Sequence, residues 1–429
     1  MKRAMAISAL LALGAGCEAK KAPEPLFVYN DAGPRVNPQE PDQRVDPSPM
    51  TDACQAACAQ LEGAGPLVEL QAPFEESGGD SSVTFGKGQW YVAWGGRPSL
   101  VTQIQRFAAD GQPVGMTRRL ERTTPEQLVW NPQGEGELDL FAGAWPGSDG
   151  QRPDAAWLRF DANVVPLAGA FRILEARTMR YGYDQLEILG SRLERTNLLD
   201  RIQPMVRLHR FDPAGGAAQT VEQHDWYTPS NKRGMAVEHI GDKRFVIYSA
   251  DGAVQVAELP AKGPMGAPRR ILEGFSDTEM ASLGVRSTKV GNDWWIGAFV
   301  NASNPAVYGR VIVRKVDPRT LTGQDEPIRI TWPTGYASDL IDANGTLAVG
   351  GNLEPTSSRS RWSFVPIDVA ARAVCHPSTV TVSSEAGASQ TVRAMHFEGD
   401  TAGVTLDTWA GSGPRHMFFT RLACTRRAP

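Results

Sequence analysis

The chain has 429 residues, of which 44 are Lys or Arg and 48 are Asp or Glu, so its formal net charge is -4. Because it has no basic excess and no Cys/His or helix-turn-helix signature, the sequence gives no indication of a nucleic-acid partner. Hydrophobic residues make up 41% and charged residues 21%, which is ordinary usage for a chain that buries a core. The 43 Gly and 31 Pro favour an all-β chain with many tight turns.

Residues 1–16 predict an export signal. Lys2 and Arg3 precede an uncharged, mostly apolar run that is too short to span a bilayer. The run ends in Gly14-Ala15-Gly16-Cys17, which resembles the lipobox of bacterial lipoproteins, with its leucine one place earlier than usual. The resemblance implies that the signal is removed and that Cys17 is acylated as the new N-terminus. An ordinary signal peptide cleaved after a small-x-small site is the alternative.

Residues 17–50 combine the expected lipid attachment site with a proline-rich stretch. Seven prolines lie among Asp, Glu, Asn, Gln and Lys. The few apolar residues cannot offset the entropy of ordering, so we expect a disordered, extended spacer between an anchor and a folded domain. A merely disordered tail is the alternative. Glu18 follows the cysteine in place of the Asp typical of inner-membrane retention in such lipoproteins, which favours the outer membrane.

Five cysteines are an odd number for an exported chain, and assigning Cys17 to lipid leaves four. These four allow three pairings. Cys54 and Cys58 lie in an Ala-rich segment, residues 51–64, that predicts a short helix in which positions i and i+4 share a face. We therefore expect a local Cys54–Cys58 disulfide and a Cys375–Cys424 disulfide. A metal site is the alternative, but a second Cys or His pair at metal spacing is missing.

Residues 65–429 contain a degenerate repeat. A Gly-containing turn followed by an apolar or aromatic strand recurs, and Gln185-Leu186-Glu187-Ile188-Leu189 is a weak further copy. The six clear copies begin at Gly86, Gly134, Gly241, Gly291, Asn344 and Gly399. A second half-unit recurs as Arg106-Phe107, Arg159-Phe160-Asp161 and Arg210-Phe211-Asp212, each followed by turn residues. Apolar residues alternate or run continuously, which is typical of strands and not of helical repeats.

These units recur about every 40 to 55 residues, the period of propeller blades built from four antiparallel strands. The sequence therefore predicts an all-β fold, a β-propeller of seven four-stranded blades over residues 65–429. Residues 67–70 are expected to add a strand to the last blade and close the ring. The repeats resemble those of bacterial surface and secreted β-propellers with an Arg-Phe-Asp-x-x-Gly hairpin. The WD40, kelch and sialidase signatures are missing, so the resemblance concerns fold and not activity.

The sequence contains no recognised motif for a catalytic nucleophile, a metal centre or a phosphate loop, and we expect neither a metal nor a cofactor. Its six histidines are scattered singly, and a lone histidine is more often structural than catalytic. The least ordinary one is in His224-Asp225-Trp226, where an imidazole, a carboxylate and an indole adjoin in a turn-rich stretch. We name these three residues as binding candidates and none as catalytic.

Eight of the eleven tryptophans fall into two groups. Four lie in predicted strands, where burial between sheets is expected: Trp90, Trp94, Trp294 and Trp295. Others lie nearer predicted loops and are candidates for a binding surface: Trp145, Trp226, Trp332 and Trp362. Four carboxylates at predicted strand ends or loops are expected to be solvated: Asp139, Asp149, Asp154 and Asp339.

Three functions fit these features. The first is a membrane-anchored lipoprotein of the cell envelope whose propeller binds a protein or an envelope polymer such as a polysaccharide without chemistry, and the lack of catalytic motifs favours it. The second is an extracytoplasmic hydrolase or lyase acting on a carbohydrate or ester at the channel mouth. The third is a structural envelope component without a ligand. A cluster of acidic and His side chains with separated pKa values at the channel mouth would favour the enzyme. An apolar or aromatic patch on one rim would favour the binder.

Overall fold

The structure is a computed structural model, and its described residues belong to the compact unit Asp42–Pro429. They are residues 54, 58, 60–70, 80–96, 101–131, 137–144, 154–167, 171–173, 178–182, 187–195, 202–211, 220–227, 235–300, 309–332, 335–353, 361–375, 378–380, 389–409 and 416–425. The predicted signal, Cys17 and the proline-rich linker lie outside these residues, as do Trp145 and Asp149.

The described chain begins with two short strands, β1 (Gln60–Gly63) and β2 (Val68–Leu70). The first sheet contains β3 (Asp80–Gly86), β4 (Gln89–Gly96), β5 (Val101–Ala108) and β6 (Pro113–Glu121). The second contains β7 (Thr123–Asn131), β8 (Glu137–Ala144), β9 (Asp154–Asp161) and β10 (Phe171–Ile173). The third contains β11 (Thr178–Gly182), β12 (Glu187–Arg195), β13 (Ile202–Phe211) and β14 (Thr220–Tyr227).

The fourth sheet contains β15 (Met235–Ile240), β16 (Lys243–Ala250), β17 (Ala253–Glu258) and β18 (Arg269–Glu273), and the short helix α1 (Asp277–Ser282) follows it. The fifth contains β19 (Leu283–Val290), β20 (Asp293–Val300), β21 (Gly309–Asp317) and β22 (Thr322–Trp332). The sixth contains β23 (Gly335–Ala343), β24 (Thr346–Leu353), β25 (Arg361–Asp368), β26 (Ala373–Val374) and β27 (Ser378–Val380). The seventh contains β28 (Ser389–Glu398), β29 (Thr401–Trp409) and β30 (His416–Thr425).

All strand pairs in these sheets are antiparallel, and consecutive strands of a sheet are neighbours except in the sixth sheet, where β26 and β27 both pair with β25. The prediction of an all-β fold made of antiparallel sheets is confirmed in the described residues, where five sheets have the predicted four strands and the sixth and seventh have five. The repeat has a clear structural meaning, since each predicted turn-plus-strand copy supplies the second strand of a sheet. Lys87 and Gly88, for example, have φ of 47° and 71° in the turn between β3 and β4, a conformation that glycine adopts without strain.

The second half-unit forms the end of the third strand and the turn after it. Phe107 and Phe160 are fully buried there. Asp161 accepts hydrogen bonds from the backbone N–H groups of Asn163 and Val165, both at 2.8 Å. Asp317, which ends the third strand of the fifth sheet, β21, accepts one from the N–H of Arg319 at 2.8 Å, and this bond is the main reason that the pKa of Asp317 is lowered. The recurring aspartate thus stabilises its own turn, as the sequence predicts.

The core lies between consecutive sheets. One buried cluster joins Phe245 and Ile247 of the fourth sheet to Trp294 and Ile296 of the fifth. Similar clusters join the fifth sheet to the sixth, the sixth to the seventh and the first to the second. The seventh sheet also packs on the first, through residues such as Phe419. Sheets covered on both faces explain why their second strands are almost continuously apolar.

Strands from the N-terminal part of the chain complete the seventh sheet. Both β1 and β2 pair with β30 in antiparallel register. The pairing of residues 68–70 confirms that the segment 67–70 adds a strand to the last sheet. The additional strand β1 lies inside the segment 51–64 that we predicted to be helical, so the sheets begin at Gln60 and not at residue 65.

The predicted disulfide pairing is wrong. Cys54 is bonded to Cys375 and Cys58 to Cys424, with Cα–Cα distances of 5.5 Å and 4.9 Å. The physical reason is the register of β1 on β30, which places Leu61 opposite Cys424 and brings Cys58 to the same sheet end. Cys54 precedes Cys58 in the chain and is bonded to Cys375, which directly follows β26 of the sixth sheet. Two such long-range disulfides indicate an oxidising, extracytoplasmic environment.

Candidate functional site

The first strands of neighbouring sheets lie side by side. β3 adjoins both β7 and β28, β15 adjoins β11 and β19, and β19 adjoins β23. Two hydrogen bonds set the alignment of β3 and β7, since the N–H of Leu128 donates to Ser82 Oγ at 2.8 Å and the N–H of Trp130 donates to Thr84 Oγ1 at 3.3 Å. Both bonds join residues that are 46 positions apart. A constant offset means that the two strands run in the same direction and in step.

The same offset relates Asp80 to Glu126. Asp80 is the first residue of β3, and Glu126 lies in the first half of β7. The charge of Asp80 acts on the Glu126 carboxyl and raises its pKa, as expected for two carboxylates held near one another. The alignment of the two strands therefore brings two acidic side chains together.

Glu126 occupies a β-bulge. The register of β7 on β8 shifts between Pro125 and Gln127, so Glu126 has no partner residue across the ladder. β23 and β28 have the same irregularity, at Ser338 and Arg393. A bulge turns a side chain away from the regular alternation and is common beside functional sites. Three first strands thus share one local distortion.

The Glu126 carboxyl has an unusual environment. Glu126 as a whole residue is exposed to solvent. Protein nevertheless surrounds most of its carboxyl group. Burial is the main cause that raises its pKa to about 7, and the charge of Asp80 is the second. A carboxyl with a pKa near neutrality can accept or donate a proton at physiological pH.

Other first strands also expose a charged residue in their first half or at their midpoint. We define the first-strand charges as the following set: Asp80, Glu126, Arg286, Asp339 and Arg393. All five are exposed, and the residues around them are mostly buried or half-buried. The set lies on β3, β7, β19, β23 and β28, which belong to five of the sheets.

Ion pairs fix several of these groups. Arg286 Nε lies 3.7 Å from Asp339 Oδ1, which links β19 to β23. Arg393 Nε donates to Asp407 Oδ2 at 2.9 Å, and Asp407 is buried. A further contact links β19 to β15, where Ser287 Oγ donates to Glu238 at 2.6 Å. These contacts join charged side chains of neighbouring strands into a polar surface, suited to binding a polar ligand.

Two histidines, His396 and His416, make contacts within the seventh sheet. His396 is mostly buried beside Trp90, with ring centroids 6.3 Å apart, and burial lowers its pKa. His416 Nδ1 lies 2.7 Å from Glu69 Oε1, which connects β30 to β2. These contacts give the two residues structural roles in the seventh sheet.

The binding candidates named from the sequence are only partly placed. His224, Asp225 and Trp226 lie in β14, opposite Leu208, Arg207 and Val206 of β13, and not in a turn. Their side chains lie outside the described part of the structure, as does the whole of Trp145.

Two tryptophans that we assigned to a binding surface are core residues. Trp332 is 0% exposed and Trp362 3% exposed. Trp332 packs between the fifth and sixth sheets and Trp362 between the sixth and seventh. The prediction failed because β22 and β25 extend to these residues and bury them where a loop was expected. Burial of the other four tryptophans is confirmed: Trp90, Trp94, Trp294 and Trp295.

Two of the carboxylates expected to be solvated are described with their side chains. Asp339 is exposed, in agreement with that prediction. Asp139 is fully buried, which contradicts it, and accepts a hydrogen bond from Arg159 Nε at 3.3 Å. Arg159 also contacts Glu137. The error arose because Asp139 belongs to β8, a second strand that is covered on both faces.

Sequence reasoning did not find Asp80 or Glu126. The available signal was the repeat itself, since residues at the same place in consecutive repeats become neighbours on adjacent first strands. No group of three or more metal-ligating side chains occurs in the described ranges. Within them, no helix has the length and hydropathy of a membrane-crossing segment.

No protein-family model and no curated protein matches the sequence. Among solved structures, a prolyl endopeptidase matches at 14% identity and a TM-score of 0.44, over 83% of this chain and 47% of its own. A hydrazine synthase of Kuenenia stuttgartiensis matches at 12% identity and a TM-score of 0.47, over 78% and 94% of the two chains. The parainfluenza virus 5 hemagglutinin-neuraminidase ectodomain matches at 9% identity and a TM-score of 0.35, over 86% and 88%. Likenesses this distant carry no argument about activity.

Proposed function

We propose that this chain is an exported lipoprotein, anchored through Cys17 in the outer membrane, whose seven sheets close into a seven-bladed β-propeller. The propeller serves as a non-catalytic platform that binds a protein or an envelope polymer. Closure is supported by strands β1 and β2, which complete the last sheet, and by the packing of the seventh sheet on the first. The disulfides support export, because they need an oxidising compartment.

One observation carries the binding function. The first-strand charges lie at similar places on neighbouring strands, and Arg286 and Arg393 are held by Asp339 and Asp407. In a closed ring these strands line the centre, so the charges form a preorganised polar surface at one end of it. Fixed side chains lose little entropy when a ligand binds. Such a surface suits a polar or charged group of a partner better than an apolar one.

The test is a cross-linking pull-down from intact cells that express the tagged full-length chain. We expect a stoichiometric envelope component to co-purify with the membrane fraction. The double variant Arg286→Ala with Asp339→Ala should reduce its recovery at least tenfold. Arg119→Ala with Glu121→Ala is the matched control, because this pair on β6 is an exposed ion pair at 2.7 Å outside the charge set. Equal recovery with both double variants would contradict the proposed site.

The anchor has a separate test. Cys17→Ser should move the chain from the membrane fraction to the soluble periplasmic or secreted fraction and abolish incorporation of a labelled fatty acid. A chain that stays in the membrane fraction without label would contradict lipidation at Cys17. The ordinary cleaved signal peptide would then be the better description of the N-terminus.

A hydrolase or lyase acting on a carbohydrate or ester is the second candidate, and Glu126 favours it. Its pKa of about 7 beside Asp80 suits a general acid or base. A panel of oligosaccharides and aryl esters tests this candidate. Three results together would support catalysis. The pH profile of the activity should have an apparent pKa near 7, Glu126→Gln should abolish the activity, and Asp80→Asn should lower the apparent pKa. No turnover by the wild-type chain on the panel would favour the binding platform.

A further inference from the structure

The two disulfides connect three parts of the molecule. Cys424 lies in β30 of the seventh sheet, and Cys375 follows β26 of the sixth sheet. Their partners, Cys58 and Cys54, are only four positions apart in the sequence. This short segment therefore cross-links the sixth and seventh sheets to one another and to the chain that precedes them.

The cross-linking segment lies on the N-terminal side of the first two strands. Both Cys54 and Cys58 precede β1, which begins at Gln60. β1 and β2 are held on β30 by short ladders of four and three residue pairs, and pulling on the end of a short edge strand breaks its hydrogen bonds one after another. Force that enters from the N-terminal side reaches the disulfides before it reaches either ladder.

We infer that the two disulfides form a tether clamp, which passes tension from the N-terminal segment into the sixth and seventh sheets and keeps it off β1 and β2. Cys54 passes the force to Cys375, and Cys58 passes it to Cys424. The strands that complete the last sheet carry no load. The biological role of this clamp rests on the proposed membrane anchor, whereas its mechanical action does not.

The clamp also joins the two ends of the fold. The Cys58–Cys424 bond closes a loop with a sequence separation of 366, and Cys424 is one residue from the end of β30. A single backbone cut between these cysteines leaves both fragments covalently attached to the N-terminal segment. A nicked molecule therefore remains on its tether.

Single-molecule stretching of the oxidised full-length chain, held at its two ends, tests the clamp. The wild type should release no folded chain, because the covalent path runs from Cys58 directly to Cys424. Cys54→Ser with Cys375→Ser should behave in the same way. Cys58→Ser with Cys424→Ser should release only the residues after Cys375, about 18 nm of contour at roughly 0.34 nm per residue. Removal of all four cysteines should release about 125 nm on the same basis.

The order of events in the four-cysteine variant completes the test. The first and weakest event should be a short release of β1 and β2, which the oxidised wild type lacks. An oxidised wild-type chain that releases this segment, or that lengthens as much as the reduced one, would overturn the clamp. If the variants do not fold, the folded wild type is stretched before and after reduction in place. Retention of Cys17→Ser in the membrane fraction, with force curves that still show the clamp, would overturn the anchor and leave the clamp standing.

Discussion

Glu126 and Asp80 lie level on two neighbouring strands that run in the same direction. The alignment follows from the hydrogen bonds that Leu128 and Trp130 donate to Ser82 and Thr84, and the bulge at Glu126 sets its side chain apart from the regular alternation. Burial and the Asp80 charge then raise the pKa of Glu126 to about 7. Hydrogen bonds between the two strands thus give the Glu126 carboxyl a raised pKa that it would not have in an isolated strand.

Stability should depend on the protonation of Glu126. Its pKa rises from 4.5 to about 7 on folding, so the folded state binds the proton more tightly and loses stability as pH rises from about 4.5 to about 7. Glu126→Gln removes the charge. We expect it to raise the free energy of unfolding at pH 8 by about 1 kcal/mol, a value reduced for the solvent-accessible part of the side chain, and to change little at pH 4.

Denaturant unfolding of both chains at pH 4, 6 and 8 measures this difference. Glu121→Gln on the exposed strand β6 is the matched control and should show no such trend. A Glu126→Gln effect of equal size at all three pH values would mean that packing, and not the charge, is responsible.

His396 should act in the opposite direction. Burial beside Trp90 lowers its pKa below 6.5, so the folded state binds the proton less tightly than the unfolded chain and loses stability as pH falls below about 6.5. His396→Gln should reduce this loss between pH 7 and pH 5, as followed by thermal unfolding. His416→Gln serves as the comparison on the same sheet. An unchanged pH dependence in His396→Gln would indicate that His396 titrates normally.

Gly403 is required by the packing of the seventh sheet on the first. A Cβ added there would clash with the ring of Trp90, which is 1% exposed. Gly403→Ala should therefore lower the free energy of unfolding by about 2 kcal/mol, the usual cost of overpacking a core. Gly63→Ala is the control, because a Cβ at that position meets nothing within 4 Å. Equal effects of the two substitutions in denaturant unfolding would show that Trp90 moves aside freely.

The disulfide pairing gives a chemical prediction. Cys54→Ser should leave the thiol of Cys375 free, and Cys58→Ser should leave that of Cys424 free. Alkylation of the unfolded, unreduced chains followed by peptide mapping identifies the free thiol, since Cys375 and Cys424 fall in different tryptic peptides. Labelling of Cys58 in Cys54→Ser would instead support the local Cys54–Cys58 disulfide that the sequence suggested.

Arg393 should contribute to stability through a buried partner. Asp407 is 5% exposed and accepts a hydrogen bond from Arg393, so Arg393→Met leaves a buried carboxylate with weaker compensation. We expect a loss of about 2 kcal/mol in the free energy of unfolding. Arg119→Met, which breaks only an exposed pair, should cost less than about 0.5 kcal/mol. Simultaneous Asp407→Asn should recover part of the loss, and a lack of recovery would show that Arg393 acts through packing.

Local sequence determined the sheets. Glycine-containing turns and runs such as Phe245-Val246-Ile247-Tyr248 encode antiparallel hairpins through φ preferences and burial, both of which act over a few residues. The repeat period therefore predicted four-stranded units, and it predicted that residues 68–70 would join the last one. The buried tryptophans of the second strands followed from the same pattern.

Only the tertiary structure decided which distant residues meet. Cys54 and Cys58 look like a local pair, yet the register of β1 on β30 directs each to a partner more than 300 positions away. Trp332 and Asp139 look exposed until neighbouring sheets cover them. Asp80 and Glu126 become a pair because two hydrogen bonds hold β3 and β7 in step. Each outcome depends on packing between sheets, which local preferences along the chain do not specify.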